Sequence, residues 1–319
     1  MRRKVIVWCF LCCLILNSCE MTEKNKKNMW WYERCVGIEQ DIPEVQKNTD
    51  VIVGIIDSGI KIDLEDISDS VYINQQEIEN NGIDDDMNGY VDDVNGWNFY
   101  DNSNEIFTTY SSDYHGTMLA GIISGKKYGV SSRVKYLPLK CFRGTEGGVD
   151  DIIRAIEYGY DLGVRIFNCS WDMEIYNKEL EECIRKYSDA IFVCASGKKG
   201  ENLDQESIYP ACFEADNIIC VGALDSSNEI QEFSGYGSKV DIYAPGEEIY
   251  CLMPDDTYVY SEGSSLATAL VTATIAYDWS VNGEKTCSDV KKELKKYSVE
   301  NENILILDAK KYILKIEED

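Results

Sequence analysis

Apolar residues along this chain gather in short, nearly unbroken runs separated by stretches of helical periodicity. Val51–Ile56 (VIVGII), Val134–Leu139 (VKYLPL), Val164–Phe167 (VRIF), Ile191–Ala195 (IFVCA), Ile218–Ala223 (IICVGA) and Val240–Ala244 (VDIYA) all have strand length. Runs without polar alternation suit strands covered on both faces, as in a parallel sheet. Between them, Val149, Ile152, Ile153 and Ile156 recur at i, i+3, i+4, i+7, as do Leu180, Cys183, Ile184 and Tyr187. Each set marks one apolar helix face. Strands alternating with amphipathic helices predict an α/β fold, a doubly wound, mostly parallel sheet flanked by helices. Thr286 offers N-cap chemistry before VKKELKKY, and ILILDA is expected as an edge strand. No repeat or low-complexity linker interrupts the chain after residue 30, so residues 30–319 are expected to form a single domain.

The first residues follow another pattern. Arg2, Arg3 and Lys4 precede an apolar stretch from Val5 to Leu16. That is the layout of a signal peptide, and it falls short of the ~20 apolar residues a membrane span needs. Leu16-Asn17-Ser18-Cys19 resembles a bacterial lipoprotein cleavage box. The resemblance implies a lipoprotein signal peptide at 1–18, lipidation of Cys19 and a polar tether over 19–29. The protein would then be held to the membrane by its N-terminal lipid, outside the cytoplasm.

Charge and composition narrow the chemistry. There are 31 Lys+Arg against 57 Asp+Glu, a net charge of −26, and such a chain is repelled by nucleic-acid phosphate. The 319 residues contain one histidine, His115, which excludes mechanisms needing two imidazoles, the His-rich zinc hydrolases among them. Of the 13 cysteines, several lie in apolar runs, such as Cys194 in IFVCA and Cys220 in IICVGA. They read as free, buried core thiols rather than a disulfide framework, which belongs to much smaller secreted chains.

Three short segments carry reactive groups. Asp57 follows VIVGII directly and precedes the turn residues Ser58-Gly59, at the carboxyl end of a strand, where α/β folds keep their functional side chains. His115 lies in DYHGT, before the apolar helical stretch MLAGII. Ser265 lies in EGSSLATA, where small residues open a helix; a hydroxyl there sits at a positive helix end beside free backbone N–H groups, favourable for a developing oxyanion. Taken singly, the aspartate has a competing reading as a helix or turn cap, and a lone histidine is more often structural than catalytic. A cysteine hydrolase pairing His115 with Cys169 or Cys251 finds no support, because neither thiol opens such a helix.

Together, Asp57 in IIDSGI, His115 in YHGT and Ser265 in GSSLAT, in the order Asp, His, Ser, resemble the subtilisin-like serine proteases. The resemblance covers about residues 30–315 and extends to Asn168-Cys169-Ser170, FSGYG at 233–237 and APG at 244–246. It implies a subtilisin-like fold and an acyl-enzyme mechanism. Ser265 is the expected nucleophile, His115 the general base and acid, and Asp57 the group that orients the imidazole. It implies peptide or protein substrates bound along Ser170, Trp171 and Asp172, a monomer, and no cofactor for the chemistry. About 30 residues separate Cys19 from Val51, fewer than the ~40 an unaided domain usually needs, so no separate inhibitory prosegment is expected.

The sequence also departs from the family pattern. Lys198, in CASGKKG, stands where the family places the asparagine of its oxyanion hole. Three readings stay open: Lys198 donates instead, the Ser265 backbone and Ser264 complete the hole, or the protein is a catalytically silent binder of peptides or a partner. Ala269 stands where the family usually has proline. Trp171 and Asp172 replace small residues and narrow the cleft, suiting a selective processing protease; Lys198 and Lys199 nearby suggest acidic substrates. In NNGIDDDMNGYVDDVNGWN, the residues Asp84, Asp86, Asn88, Gly89, Tyr90 and Asp92 match the early positions of a calcium loop, with Asn95 where a glutamate is expected. A structural Ca²⁺ held by Asp84, Asp86, Asn88, Tyr90 and Asp92 competes with a plain acidic surface loop.

Overall fold

The computed structural model describes residues 50–301 and 304–316, together with the two-residue strand Val5–Ile6. Residues 1–4 and 7–49, which include Cys19 and most of the expected signal peptide and tether, lie outside the described residues.

Nine strands form the main sheet. In chain order they are β1 (Ile52–Asp57), β2 (Trp97–Asn98), β3 (Lys135–Lys140), β4 (Ile166–Cys169), β5 (Ile191–Ala195), β6 (Ile218–Leu224), β7 (Ile242–Pro245), β8 (Val299–Asn301) and β9 (Ile304–Ile306). Their spatial order is β8-β9-β7-β6-β5-β4-β1-β3-β2. Every pairing is parallel except β8 with β9. The run ILILDA gives β9, which lies one strand inside the edge because Val299–Asn301 folds back along it. The chain passes from β1 outward to β3 and then crosses to β4 on the other flank of β1. This reversal opens a crevice at the carboxyl ends of β1 and β4, the place where open α/β sheets bind ligands.

Two apolar layers cover the sheet. On one face, Val53, Ile55, Val193 and Val221 pack against α1 (Tyr110–Ser124) and α4 (Ser264–Asn282). On the other, Ile56, Phe167 and Phe192 pack against α2 (Val149–Asp161) and α3 (Lys178–Lys186). The Phe167 and Phe192 rings stack at 4.9 Å. Residues 264–280 of α4 are all buried, so this helix runs through the protein instead of along its surface. Below it, Thr286 caps α5 (Cys287–Tyr297) by accepting from the Asp289 N–H, as its sequence suggests.

The described cysteines, from Cys141 to Cys287, are free and buried. Cys169, Cys194 and Cys220 stand opposite one another on β4, β5 and β6. Burial pushes the Cys141, Cys194 and Cys220 thiols well above their ordinary range, as expected of inert core side chains.

Candidate active site

The last residue of β1 is Asp57, buried at 1% exposure. Its carboxylate is held by the Ser58 N–H at 2.7 Å and the Ser58 hydroxyl at 3.0 Å. His115, in the second turn of α1, places Nδ1 at 3.0 and 2.9 Å from the two Asp57 oxygens. Two glycines let helix and strand end approach this closely. A Cβ on Gly116 would lie 2.4 Å from the Gly59 carbonyl and 3.3 Å from Asp57 Oδ1, and Gly59 adopts φ +124°. The Lys61 N–H, donated to Thr117 Oγ1 at 3.0 Å, adds a further tie.

Ser265 is the second residue of α4, which begins at Ser264 after Gly263. Its amide therefore belongs to the first turn, where N–H groups have no partner within the helix and the dipole favours negative charge. Ser265 and Ser170 are interlocked: Ser265 Oγ donates to the Ser170 carbonyl at 3.0 Å, and Ser170 Oγ donates to the Ser265 carbonyl at 2.9 Å. Ser264 Oγ donates to the Gly197 carbonyl at 2.7 Å. The ends of β1, β4 and β5 and the start of α4 thus bring Asp57, His115, Ser170, Gly197 and Ser265 to one end of the sheet.

Beyond Ser170, Trp171 is buried with its ring against Phe142 at 5.8 Å, and Asp172 is 5% exposed. Burial raises the Asp172 carboxyl to about 6, opposed by the positive charges of Lys198 and Lys199 and reinforced by Glu201 and Glu174. Gly197, at φ +92°, leaves the space between Asp172 and Ile208: a Cβ there would meet Ile208 Cδ1 at 2.8 Å and Asp172 Oδ2 at 3.8 Å. Lys198 follows it, half-buried. Lys199 forms an ion pair with Glu174 and lies 4.0 Å from Glu201.

The Peptidase S8 (subtilase) family profile matches residues 48–308. The chain belongs to the subtilase family. It is 32% identical over 194 residues to an intracellular serine protease of Paenibacillus polymyxa, covering 57% of this chain and 58% of the relative. It is 29% identical over 182 residues to thermitase of Thermoactinomyces vulgaris, covering 54% of this chain and 62% of the relative. The chain thus spans less than two thirds of either relative's length. Among solved structures, a subtilase cytotoxin SubAB chain superposes with TM-score 0.71 at 24% identity, covering 89% of this chain and 95% of that one. The epidermin leader peptide processing serine protease of Staphylococcus aureus gives TM-score 0.72 at 20% identity, covering 90% and 80%. At these identities the structural likeness establishes the fold.

This subtilase carries a buried ion pair behind its catalytic candidates that sequence reading missed. Lys140 closes β3 directly opposite Asp57 and is fully buried. Its ammonium donates to Asp113 Oδ1 at 2.7 Å, to the Phe142 carbonyl at 3.1 Å and to the Ser58 carbonyl. Asp113, two residues before His115, also accepts from the Thr108 N–H at 2.5 Å, Thr108 Oγ1 at 2.9 Å and Ser112 Oγ at 2.6 Å. The nearly unbroken apolar run VKYLPL gives no hint that the lysine closing it carries a buried charge.

In the acidic loop, Asp84 and Asp86 come together with Glu77, their carboxylate oxygens all within 4.8 Å. None of the three is in an ion pair among the described residues, and an all-oxygen acidic set suits a hard divalent cation. Glu77, which the loop template does not contain, also accepts from the Asp85, Asp86 and Asp92 N–H groups. Asp92 instead turns its carboxylate to the Asn81 and Gly82 backbone. Asn88 Nδ2 donates to Asp86 and Asp93. The Tyr90 ring packs against Trp97, Phe99 and Tyr158.

Proposed function

We propose that this subtilase is a serine endopeptidase acting on peptide or protein substrates through Ser265, His115 and Asp57. The reading rests on the contact of His115 Nδ1 with both Asp57 oxygens, at 2.9 and 3.0 Å, at the end of the sheet where Ser265 opens a buried helix. In the reaction, Ser265 Oγ leaves its bond to the Ser170 carbonyl by a side-chain rotation and turns to His115. As Oγ bonds to the substrate carbonyl carbon, His115 Nε2 takes the proton and the carbonyl π pair moves to oxygen. The Ser265 N–H and the Lys198 ammonium stabilise that oxyanion. Its collapse breaks the C–N bond, and His115 returns the proton to the departing amine. Water repeats the sequence on the acyl-enzyme. Asp57 accepts from His115 Nδ1 throughout and keeps the Nδ1–H tautomer.

Labelling of the purified chain with a fluorophosphonate tests this. Labelling that vanishes in Ser265→Ala supports the activated serine, and a further loss in folded Lys198→Ala supports the lysine as an oxyanion donor. The second reading, a silent peptide-binding protein, is favoured by Lys198 at the asparagine position and by the Ser265 hydroxyl bonded to Ser170. Folded wild type that resists labelling would establish it.

The proposal includes a tethered, selective processing role for a monomer. Residues 1–18 serve as lipoprotein signal peptide, Cys19 carries the lipid, 19–29 form the tether and 30–319 the peptidase domain outside the cytoplasmic membrane. Metabolic incorporation of a fatty acid that persists in Cys19→Ala would refute the anchor. Glu77, Asp84 and Asp86 would hold a Ca²⁺ that braces the loop without entering the chemistry.

A further inference from the structure

We infer that Asn168 is a positioning residue for the nucleophile, holding Ser265 through the Ser170 hydroxyl; this rests on the endopeptidase reading. Asn168 lies within β4, and its register partners Ile55 and Val193 belong to the apolar layer that faces α4. A carboxamide at this place is fully buried, which is costly unless its polar atoms are bonded. Asn168 Oδ1 accepts from Thr272 Oγ1 of α4 at 2.9 Å, a proton shared with the Thr268 carbonyl at 2.8 Å. Asn168 Nδ2 donates to Ser170 Oγ at 3.0 Å. The two residues are two apart on extended chain, so both side chains point towards α4.

The Asn168 amide sets what the Ser170 hydroxyl does. With Nδ2 donating to it, Ser170 Oγ acts as acceptor, and its one proton is left for the Ser265 carbonyl at 2.9 Å. The other bond of the interlocked pair runs from Ser265 Oγ to the Ser170 carbonyl and has to break when that hydroxyl turns to His115. The bond from Ser170 Oγ grips the main chain of Ser265 and survives the turn. Thr272 stands two helical turns beyond Ser265 on α4, so the chain Thr272, Asn168, Ser170, Ser265 ties the nucleophile back to the body of its own helix. Removing the Asn168 amide leaves the Ser170 hydroxyl free to swing away and loosens that hold. A misplacement of about 1 Å costs about 10²-fold in rate, which bounds the effect.

The probe is a fluorophosphonate, whose labelling kinetics read the serine without a known substrate. Saturation curves separate the maximal labelling rate from the half-saturating concentration in the full chain, Asn168→Ala, Ser170→Ala and the double variant, with thermal melts to show that each is folded. Each single change should lower the maximal rate about 10- to 100-fold and move the half-saturating concentration less than about threefold. Because Asn168 acts through Ser170, the double variant should be at most about twofold slower than Ser170→Ala. Where Asn168→Ala does not fold, Thr272→Val decides: it keeps the shape and should slow labelling about 3- to 10-fold, with Thr272→Ser restoring the rate. An unchanged rate in folded Asn168→Ala or Thr272→Val, or losses that multiply in the double variant, overturns the inference. If the wild type labels, that result removes this inference alone. Folded wild type that takes no label removes the endopeptidase reading, and this inference with it.

Discussion

Replacing Lys140 by methionine probes whether the ion pair behind the site holds it in shape. Lys140 and Asp113 are both fully buried, and the ammonium spends its three protons on Asp113 Oδ1, the Phe142 carbonyl and the Ser58 carbonyl. Lys140→Met keeps the stem's volume and removes the charge. Asp113 then loses its counter-charge, although the Thr108 and Ser112 donors still reach it. Breaking a buried pair from one side costs about 3–5 kcal/mol. Two bared carbonyls at about 1–3 kcal/mol each are part of that figure and push it to the upper half, about 4–5 kcal/mol. For a domain of this size that is a fall of roughly 8–20 °C in Tm. Asp113→Asn added to Lys140→Met leaves neither charge buried and should recover about 1–3 kcal/mol. Urea and thermal unfolding in a Ser265→Ala background, which prevents self-digestion, measure all four corners of the cycle. A loss below 1 kcal/mol for Lys140→Met, or no recovery in the double variant, would refute the reasoning.

Other expectations follow from the same contacts. Asp57→Asn should lower kcat by about 10⁴, the loss seen when a triad imidazole is left in the wrong tautomer, with the melting profile largely kept; a fluorogenic peptide reads it. Chelation should lower Tm through loss of Ca²⁺ from Glu77, Asp84 and Asp86, by the equivalent of about 2.7 kcal/mol if the ion was at a hundred times its Kd. In Glu77→Gln the chelator should do little. Asp172 gives stability a pH dependence of its own. Because folding raises this carboxyl from 3.8 to about 6, its stabilising contribution is complete below pH 3.8 and is lost as pH rises through 6. Asp172→Asn should therefore gain stability over wild type above pH 6 and lose that gain at pH 4, as thermal melts across the range would show.

How much of this was legible in the sequence depended on the range of each interaction. The core strands were legible because buried parallel strands are apolar at every position; IFVCA matches β5 residue for residue. The crossing from β3 to β4 was not, since no local pattern records which flank of β1 a later strand will join. Asp57, His115 and Ser265 each sit in a local motif whose glycines have steric reasons: Gly59 and Gly116 permit the close approach of β1 and α1. Lys140 and Glu77 have no such signature. Lys140 reaches Asp113, 27 residues earlier, and Glu77 lies seven residues before the loop template begins.

Three buried carboxylates at this end of the sheet meet the cost of burial in different ways. Burying each would cost several kcal/mol without donors. Asp57 has Ser58 and His115, and its geometry is fixed before any substrate arrives. Asp113 has Lys140 and the 108–112 turn, so it fixes where α1 begins and, two residues on, where His115 stands. Satisfying both in the free protein stabilises the arrangement that the reaction needs, which is where preorganisation gains most. Burial raises the Asp172 carboxyl to about 6 against the positive charges of Lys198 and Lys199, so carrying its charge above that pH costs stability. A neutral amide in its place removes that cost, whereas the same change at Asp57 or Asp113 discards contacts that hold the site in shape.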